Sequence, residues 1–319
     1  MAKQQMGWIP PAERSDNQRA FCAEHDPPDF SSFKMESSEL PERALCYDLE
    51  LRALGRLMPR PRQVTGSCVG FSSSRSLSHA ILGDAVLRGD MERIVLPHPL
   101  PSYGQGRKIG NFRGTGSGSY GSAQAKAVSQ WGILPVDDPR LPAPKIVNGW
   151  AKWTKSQELE WSHPRAWPVD ESNLAQDAKD YIVQTVARIR TTGEAADCSA
   201  SGYGITLASS FGTAPRLVQN YLIGRHSRRW AHQMSCSGFD ASEEAQIAGN
   251  TERLWAIDNQ WGDSHGKCNV LSSYGVNGSF WVTDKTFAGI IDSGEVFAFS
   301  NTRGFPLRRI DWGDVGLSR

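Results

Sequence analysis

Three residues constrain this chain most: Cys68, His232 and Asn259 form one chemical unit only in a fold that brings three distant segments to one point. Cys68 stands in Thr65-Gly66-Ser67-Cys68-Val69-Gly70-Phe71-Ser72, His232 in Trp230-Ala231-His232-Gln233-Met234, and Asn259 in Ala256-Ile257-Asp258-Asn259-Gln260-Trp261-Gly262. A thiol is a weak nucleophile until it loses its proton, so it needs an imidazole to take that proton and a third group to hold the imidazole in one tautomer. Taken singly, a cysteine is usually a small buried hydrophobe and a histidine a satisfied core or surface residue. In this order and at these separations they read as nucleophile, base and orienting group.

At these residues the chain resembles the papain-like cysteine peptidases. That family places its nucleophile in Gly-Ser-Cys-Trp-Ala-Phe-Ser, its base at the head of a His-x-x-x-x-x-Gly-Tyr strand and its orienting residue in Asn-Ser-Trp-Gly. The counterparts here are Gly66 to Ser72, His232 through Gly238-Phe239, and Asn259-Gln260-Trp261-Gly262. Gly118-Ser119-Tyr120-Gly121, then Gln130-Trp131-Gly132-Ile133-Leu134-Pro135, is similar to the family's Gly-rich turn and the segment after it, and Gly278-Ser279-Phe280-Trp281-Val282 to its closing strand. With gaps, the resemblance runs from about Cys46 to Phe299.

The resemblance implies an α+β, two-lobe fold, with a helical lobe carrying the Cys68 helix and an antiparallel β-barrel-like lobe carrying His232 and Asn259. The cleft between lobes would be the site. It implies acyl transfer: Cys68 attacks a carbonyl, His232 accepts and returns the proton, Asn259 orients His232, and Gln63 with the Cys68 amide faces the oxyanion. Gly66, Ser67, Gly118, Tyr120 and Trp261 would line the cleft, with Trp261 shielding the His232–Asn259 hydrogen bond. This chemistry calls for no metal or cofactor. The departures are specific. The family's oxyanion glutamine lies six residues before the cysteine, the place of Arg62, and Gln63 comes one residue later; Val69 replaces an aromatic residue and Gln260 a serine.

Composition excludes several alternatives. A chain of 319 residues, 39% apolar and 22% charged, suits a globular protein with one large or two modest cores. Its net charge of +1 gives no nucleic-acid footprint, and the basic run Arg225-His226-Ser227-Arg228-Arg229 reads as a solvated loop. No window approaches a membrane span and the start lacks a signal-peptide core, so the expected place of synthesis and folding is the cytoplasm. The six cysteines are widely spaced, and Thr65 stands where secreted family members carry a cysteine; they read as reduced thiols. His232 and Cys236 have a helical metal-ligand spacing, but the alternation around them indicates a strand.

Residues 1–45 are rich in proline, charge and serine without sustained periodicity and read as an extended arm, expected to lie on neighbouring subunits. Residues 46–170 are assigned to the helical lobe and 171–319 to the strand-rich lobe. Cys68 opens a helix with Ser67 as N-cap, which puts the thiol at the positive end of the dipole and favours thiolate. Residues 94–121 read as loop, with Gly114 to Gly118 a turn or cleft wall and not a phosphate cradle. Residues 136–170 read as an irregular crossing, in which Trp150, Trp153, Trp161 and Trp167 serve packing. Helical spacing follows over 172–190, then strands at 204–209, 233–238, 253–258 and 279–283.

The function read from this pattern is a papain-like cysteine hydrolase acting on a peptide, peptidoglycan-stem amide or isopeptide. The Thr-Gly-Ser-Cys-Val-Gly and Gly-Ser-Phe-Trp-Val forms also resemble papain-like proteins of bacteriophages, which implies a virion component. The alternative is a non-catalytic structural or assembly protein of a virion that retains the fold. A third reading makes residues 1–45 an inhibitory propeptide.

Overall fold

The computed structural model describes residues 7–33, 39–112, 116–162, 185–262 and 278–315. Residues 172–184 of the helix expected over 172–190, Trp167 and Cys268 lie outside them.

The helical part is organised around α3 (Cys68–Arg88), which begins at the predicted nucleophile and ends where Gly89 turns left-handed at φ 69°. Nearly every face of its first sixteen residues is buried. Small residues make this possible: at Gly70 a Cβ would stand 2.5 Å from the Tyr103 Cβ, so the neighbouring helix crosses in direct contact. Ahead of it come α2 (Cys46–Leu54) and a short strand β2 (Arg60–Arg62).

The neighbour is α4 (Pro99–Ile109), where the sequence suggested loop. Its prolines and glycines mask the helical pattern, but Pro99 occupies the first turn, where a missing N–H costs nothing, and His98 caps the helix through Nδ1 by accepting the Leu100 N–H at 3.2 Å. α5 (Gly121–Trp131) follows the Gly-rich turn. The supposed irregular crossing holds β3 (Lys145–Val147), β4 (Trp150–Lys152) and α6 (Lys155–Ser162), with β2, β4 and β3 forming a small sheet. Trp150, Trp153 and Trp161 are buried there as packing.

The main sheet has strand order β5-β10-β6-β7-β8-β9, with β1 (Arg43–Leu45) also pairing with β7. Its spine is the long hairpin β6 (Gly204–Val218) and β7 (Tyr221–Asp240), well beyond the expected short strands. Residues 225–229 of β7 are exposed in succession, so no alternation announced them, and the basic run belongs to a strand and not a loop. β8 (Leu254–Asp258) and β9 (Ser279–Thr283) match expectation.

β5 (Thr185–Arg188) is a strand against β10 (Gly294–Ser300), where the periodicity suggested helix. Four residues alternating around Val186 and Ala187 are too few to separate the two periods. β9 returns to touch β7 at one pair, Ile223 and Trp281, while β5 at the far end of the order stays unpaired with it. The expected barrel-like lobe is therefore an open, coiled sheet.

The arm is not merely extended. Its α1 (Asp16–Glu24) carries a capping box, Ser15 with Gln18, and buries none of its residues, which is why no apolar period marks it.

Candidate active site

β7 and the end of β8 bring His232 and Asn259 together. His232 Nε2 lies 3.0 Å from Asn259 Oδ1, and the Gln260 backbone N–H donates to the same oxygen at 2.8 Å. That second bond identifies the atom as the amide oxygen, an acceptor only, so Nε2 carries the proton. In the neutral ring Nδ1 is then the nitrogen able to accept one. Trp261 stacks on the imidazole at 4.1 Å and 22°, and Trp230 meets Trp261 edge-on at 5.3 Å. All five residues are buried, so the hydrogen bond is sheltered from competing water.

The nucleophile side is built by a carboxylate that the sequence reading missed. Glu158, on α6 and fully buried, accepts the Val64 N–H at 2.9 Å, the Thr65 N–H at 2.9 Å, the Thr65 hydroxyl at 2.8 Å and the Ser67 hydroxyl at 2.7 Å. It pins the loop entering α3. Ser67 holds the N-cap position but spends its hydroxyl on Glu158 instead of capping. Burial pushes the Glu158 carboxyl above its ordinary range despite the bonds from Ser67 and Thr65. A lone glutamate in a tryptophan-rich stretch carried no sequence signal for this.

Gln63 reaches the neighbourhood, its backbone N–H donating to the Gln260 carbonyl at 3.0 Å, but its side-chain amide donates to the Thr65 carbonyl at 3.0 Å. Arg62 instead pairs with Lys152 in the small sheet, and its guanidinium lies against Gly262.

Cys68 departs from expectation. It is fully buried, and burial pushes its thiol up to about 12, against backbone hydrogen bonds from Gln233, Gly7 and Val69. The helix dipole favours thiolate, but desolvation outweighs it. The expected thiolate is thus a covered thiol.

The cover is the arm. Trp8 pairs in parallel with Ser119, the Ser119 N–H donating to the Gly7 carbonyl and the Ile9 N–H to the Ser119 carbonyl, both at 2.8 Å. Gly7 lies so close to the nucleophile loop that a Cβ there would stand 2.2 Å from the Gly66 carbonyl oxygen. Gly118 borders this strand; its N–H donates to the Tyr103 hydroxyl at 2.7 Å and its carbonyl accepts from Arg107, both on α4. Tyr120 is buried with its hydroxyl donating to the Gly110 carbonyl at 3.0 Å, leaving the Arg14 guanidinium over its ring at 4.8 Å.

One buried carboxylate, Glu295 on β10, anchors the arm. It accepts from Trp8 Nε1 at 2.8 Å, from Arg14 at 2.5 and 3.2 Å, from the Gly121 N–H at 3.1 Å and from the Ser122 hydroxyl at 2.9 Å. Burial would raise its carboxyl, but Arg14 and the hydrogen bonds hold it below the ordinary range.

A second buried network joins α3 to β8, the strand that ends just before Asn259. Arg75 donates to Glu50 and, at 2.9 Å, to Asp258; Tyr47 donates to Asp258 at 2.6 Å, as does Ser237 at 2.7 Å; and Arg60 lies 3.5 Å from Asp258. Burial would raise the Asp258 carboxyl, but the two arginines hold it far below the usual range. Among the described residues the cysteines Cys22, Cys46, Cys68, Cys198 and Cys236 are free.

Comparison with protein-family profiles and with curated proteins finds no match. Solved structures do match. Xylellain, a cysteine protease from Xylella fastidiosa, aligns over 95% of this chain and 100% of its own at 17% identity and a TM-score of 0.56. Procathepsin B S9 from Trypanosoma congolense covers 93% and 86% at 10% identity and 0.54. The Amb a 11 cysteine protease, a ragweed pollen allergen, in its proform covers 88% and 72% at 12% identity and 0.50. The chain has the papain-like fold.

Proposed function

We propose that this chain is a papain-like cysteine hydrolase of peptide or amide bonds whose cleft is held shut by its own N-terminal arm. The observation carrying this reading is the fixed His232–Asn259 pair, with Nε2–H donating to an oxygen whose identity the Gln260 N–H establishes. An imidazole locked this way offers Nδ1 as a base, and the proposed nucleophile, Cys68, is the first residue of α3.

Once the arm leaves, Cys68 gains water access and the main cause of its raised proton affinity is removed. His232 takes its proton, the thiolate attacks a carbonyl to give a tetrahedral oxyanion facing the N-terminus of α3, and His232 returns the proton to the leaving amine. Water then cleaves the thioester by the same base. Release of the Gln63 amide from the Thr65 carbonyl would supply a further oxyanion donor. Two of the similar structures are themselves described as proforms, which supports a covering role for the arm.

A Gly7→Val chain cannot seat its arm against Gly66, so it should hydrolyse a dye-quenched casein where the unaltered chain does not, and lose that activity on adding Cys68→Ser. An open Gly7→Val chain without Cys68-dependent hydrolysis would sink the enzyme reading. The second reading, a non-catalytic structural or assembly protein that retains the fold, is favoured by the engaged Gln63 amide and the raised thiol; it predicts assembly unaffected by Cys68→Ser.

A further inference from the structure

Glu295 lies on β10, in the body of the fold, yet most of what it binds belongs to the arm. Trp8 Nε1 at 2.8 Å and both terminal nitrogens of the Arg14 guanidinium come from residues ahead of α1. Only the Gly121 N–H at 3.1 Å and the Ser122 hydroxyl at 2.9 Å come from the body. The Arg14 and Glu295 side chains are 3% and 4% exposed, so the pair is sealed from water. The Tyr120 ring faces the same guanidinium at 4.8 Å. A carboxylate beside an aromatic face is a receptor for a planar cation.

This receptor stands one residue along the arm from the nucleophile. Gly7 lies against Gly66, and a backbone hydrogen bond from Gly7 reaches Cys68. The next residue, Trp8, pairs with Ser119 and puts its indole on Glu295. A chain that replaces the arm along Ser119, with its reacting carbonyl at Cys68, therefore directs the side chain of an adjacent residue at Glu295. Departure of the arm strips away the indole and the guanidinium. Among the described residues the partners that remain, Gly121 N–H and the Ser122 hydroxyl, are neutral. An acid buried without its counterion is costly, so the vacated space favours a ligand that restores the charge.

We infer that Glu295 determines the specificity of the opened cleft, and that the substrates are peptides carrying a basic residue next to the one attacked by Cys68. Arg14 holds the place of the substrate's guanidinium. Arginine is preferred to lysine, because its planar fork meets a carboxylate through two parallel bonds and lies flat on the Tyr120 ring. The inference rests on the hydrolase reading, in which the arm leaves the cleft.

Calorimetry of the full chain carrying Gly7→Val, Arg14→Met and Cys68→Ser tests it; the arm is unseated, its guanidinium removed and the ligand left uncleaved. The probes are end-blocked glycine-X-glycine peptides in which X is arginine, its neutral isostere citrulline, or glutamate. The arginine peptide should bind roughly tenfold or more tightly than the citrulline peptide, the scale of a hydrogen bond between charged groups. The glutamate peptide should not bind, a comparison that needs no change at Glu295. Adding Glu295→Gln should bring arginine and citrulline within about twofold, the neutral amide supplying no charge. Equal affinity for arginine and citrulline, a preference that survives Glu295→Gln, or binding of no peptide at about 10 mM, weaker than any useful affinity, would overturn the assignment. With Cys68 restored, cleavage of dye-quenched casein reports the hydrolase reading separately. Cleavage without arginine selectivity overturns this inference alone, whereas arginine selectivity without cleavage overturns the hydrolase reading and not the pocket.

Discussion

The two halves of the candidate triad are in opposite states. The base half is assembled and sheltered: His232, Asn259 and Trp261 form one packed unit whose tautomer is fixed by a backbone N–H. The nucleophile half is covered, with Gly7 against the loop before Cys68 and the Cys68 thiol raised to about 12. The base half and the arm that covers Cys68 both rest on buried carboxylates, yet the supports differ. Asp258 is held by arginines from α3 and β2, within the body of the fold, whereas Glu295 is held by Arg14, on a segment that belongs to the arm. The difference teaches that geometry and access are set by separate ion pairs, so one can change without the other.

Breaking the permanent support should do most damage. Arg75→Met leaves Glu50 and Asp258 without their shared cation in the interior and should cost about 3–5 kcal/mol, as removing one partner of a buried pair does; a denaturant melt reads it. An equal loss from Arg14→Met would erase the proposed distinction between body and arm.

Opening the cover is the next effect in size. Gly7→Val should raise the alkylation rate of Cys68 by roughly 10- to 100-fold, the scale expected when reaction no longer waits for local opening of a buried segment. Peptide mass spectrometry separates Cys68 from the half-buried Cys22. Glu158→Gln should then cost about 1–3 kcal/mol, because several donors on the 64–67 loop lose a charged acceptor. Its melting temperature should fall while hydrogen exchange at β7 stays protected, confirming that Glu158 supports only the nucleophile side.

The smallest effect is with pH. Glu295 has its folded carboxyl below the ordinary value of 4.5, so its contribution is present above that value and lost as pH falls through the lower folded one. Exchange of the Ile9 amide, corrected for its intrinsic rate, should accelerate below about pH 4.5, and Glu295→Gln should remove that acceleration. Acceleration that is unchanged in the variant would put the arm's anchor elsewhere.

Much of the fold was legible because the chemistry leaves marks in sequence. Cys68 at a helix start, His232 on a strand and Asn259 at the end of the next were readable from spacing and alternation. α4 was not, since Pro99, Pro101 and its glycines mimic a loop until His98 is seen as a cap. β5 was misread because four residues carry no distinguishable period. The covered state of Cys68 was illegible for a different reason: it depends on a contact between Gly7 and Gly66, two residues with no side chain to signal it. Glu158 and Glu295 were likewise silent, since only the fold shows how many donors converge on each.

The most direct measurement is the pH profile of Cys68 alkylation by iodoacetamide in the unaltered chain, in Gly7→Val and in Gly7→Val with His232→Ala. The account predicts slow labelling in the first, fast labelling well below the free-thiol value of about 8.5 in the second, and loss of that low-pH reactivity in the third. Fast, His232-dependent labelling already present in the unaltered chain, or profiles identical in all three, would contradict it.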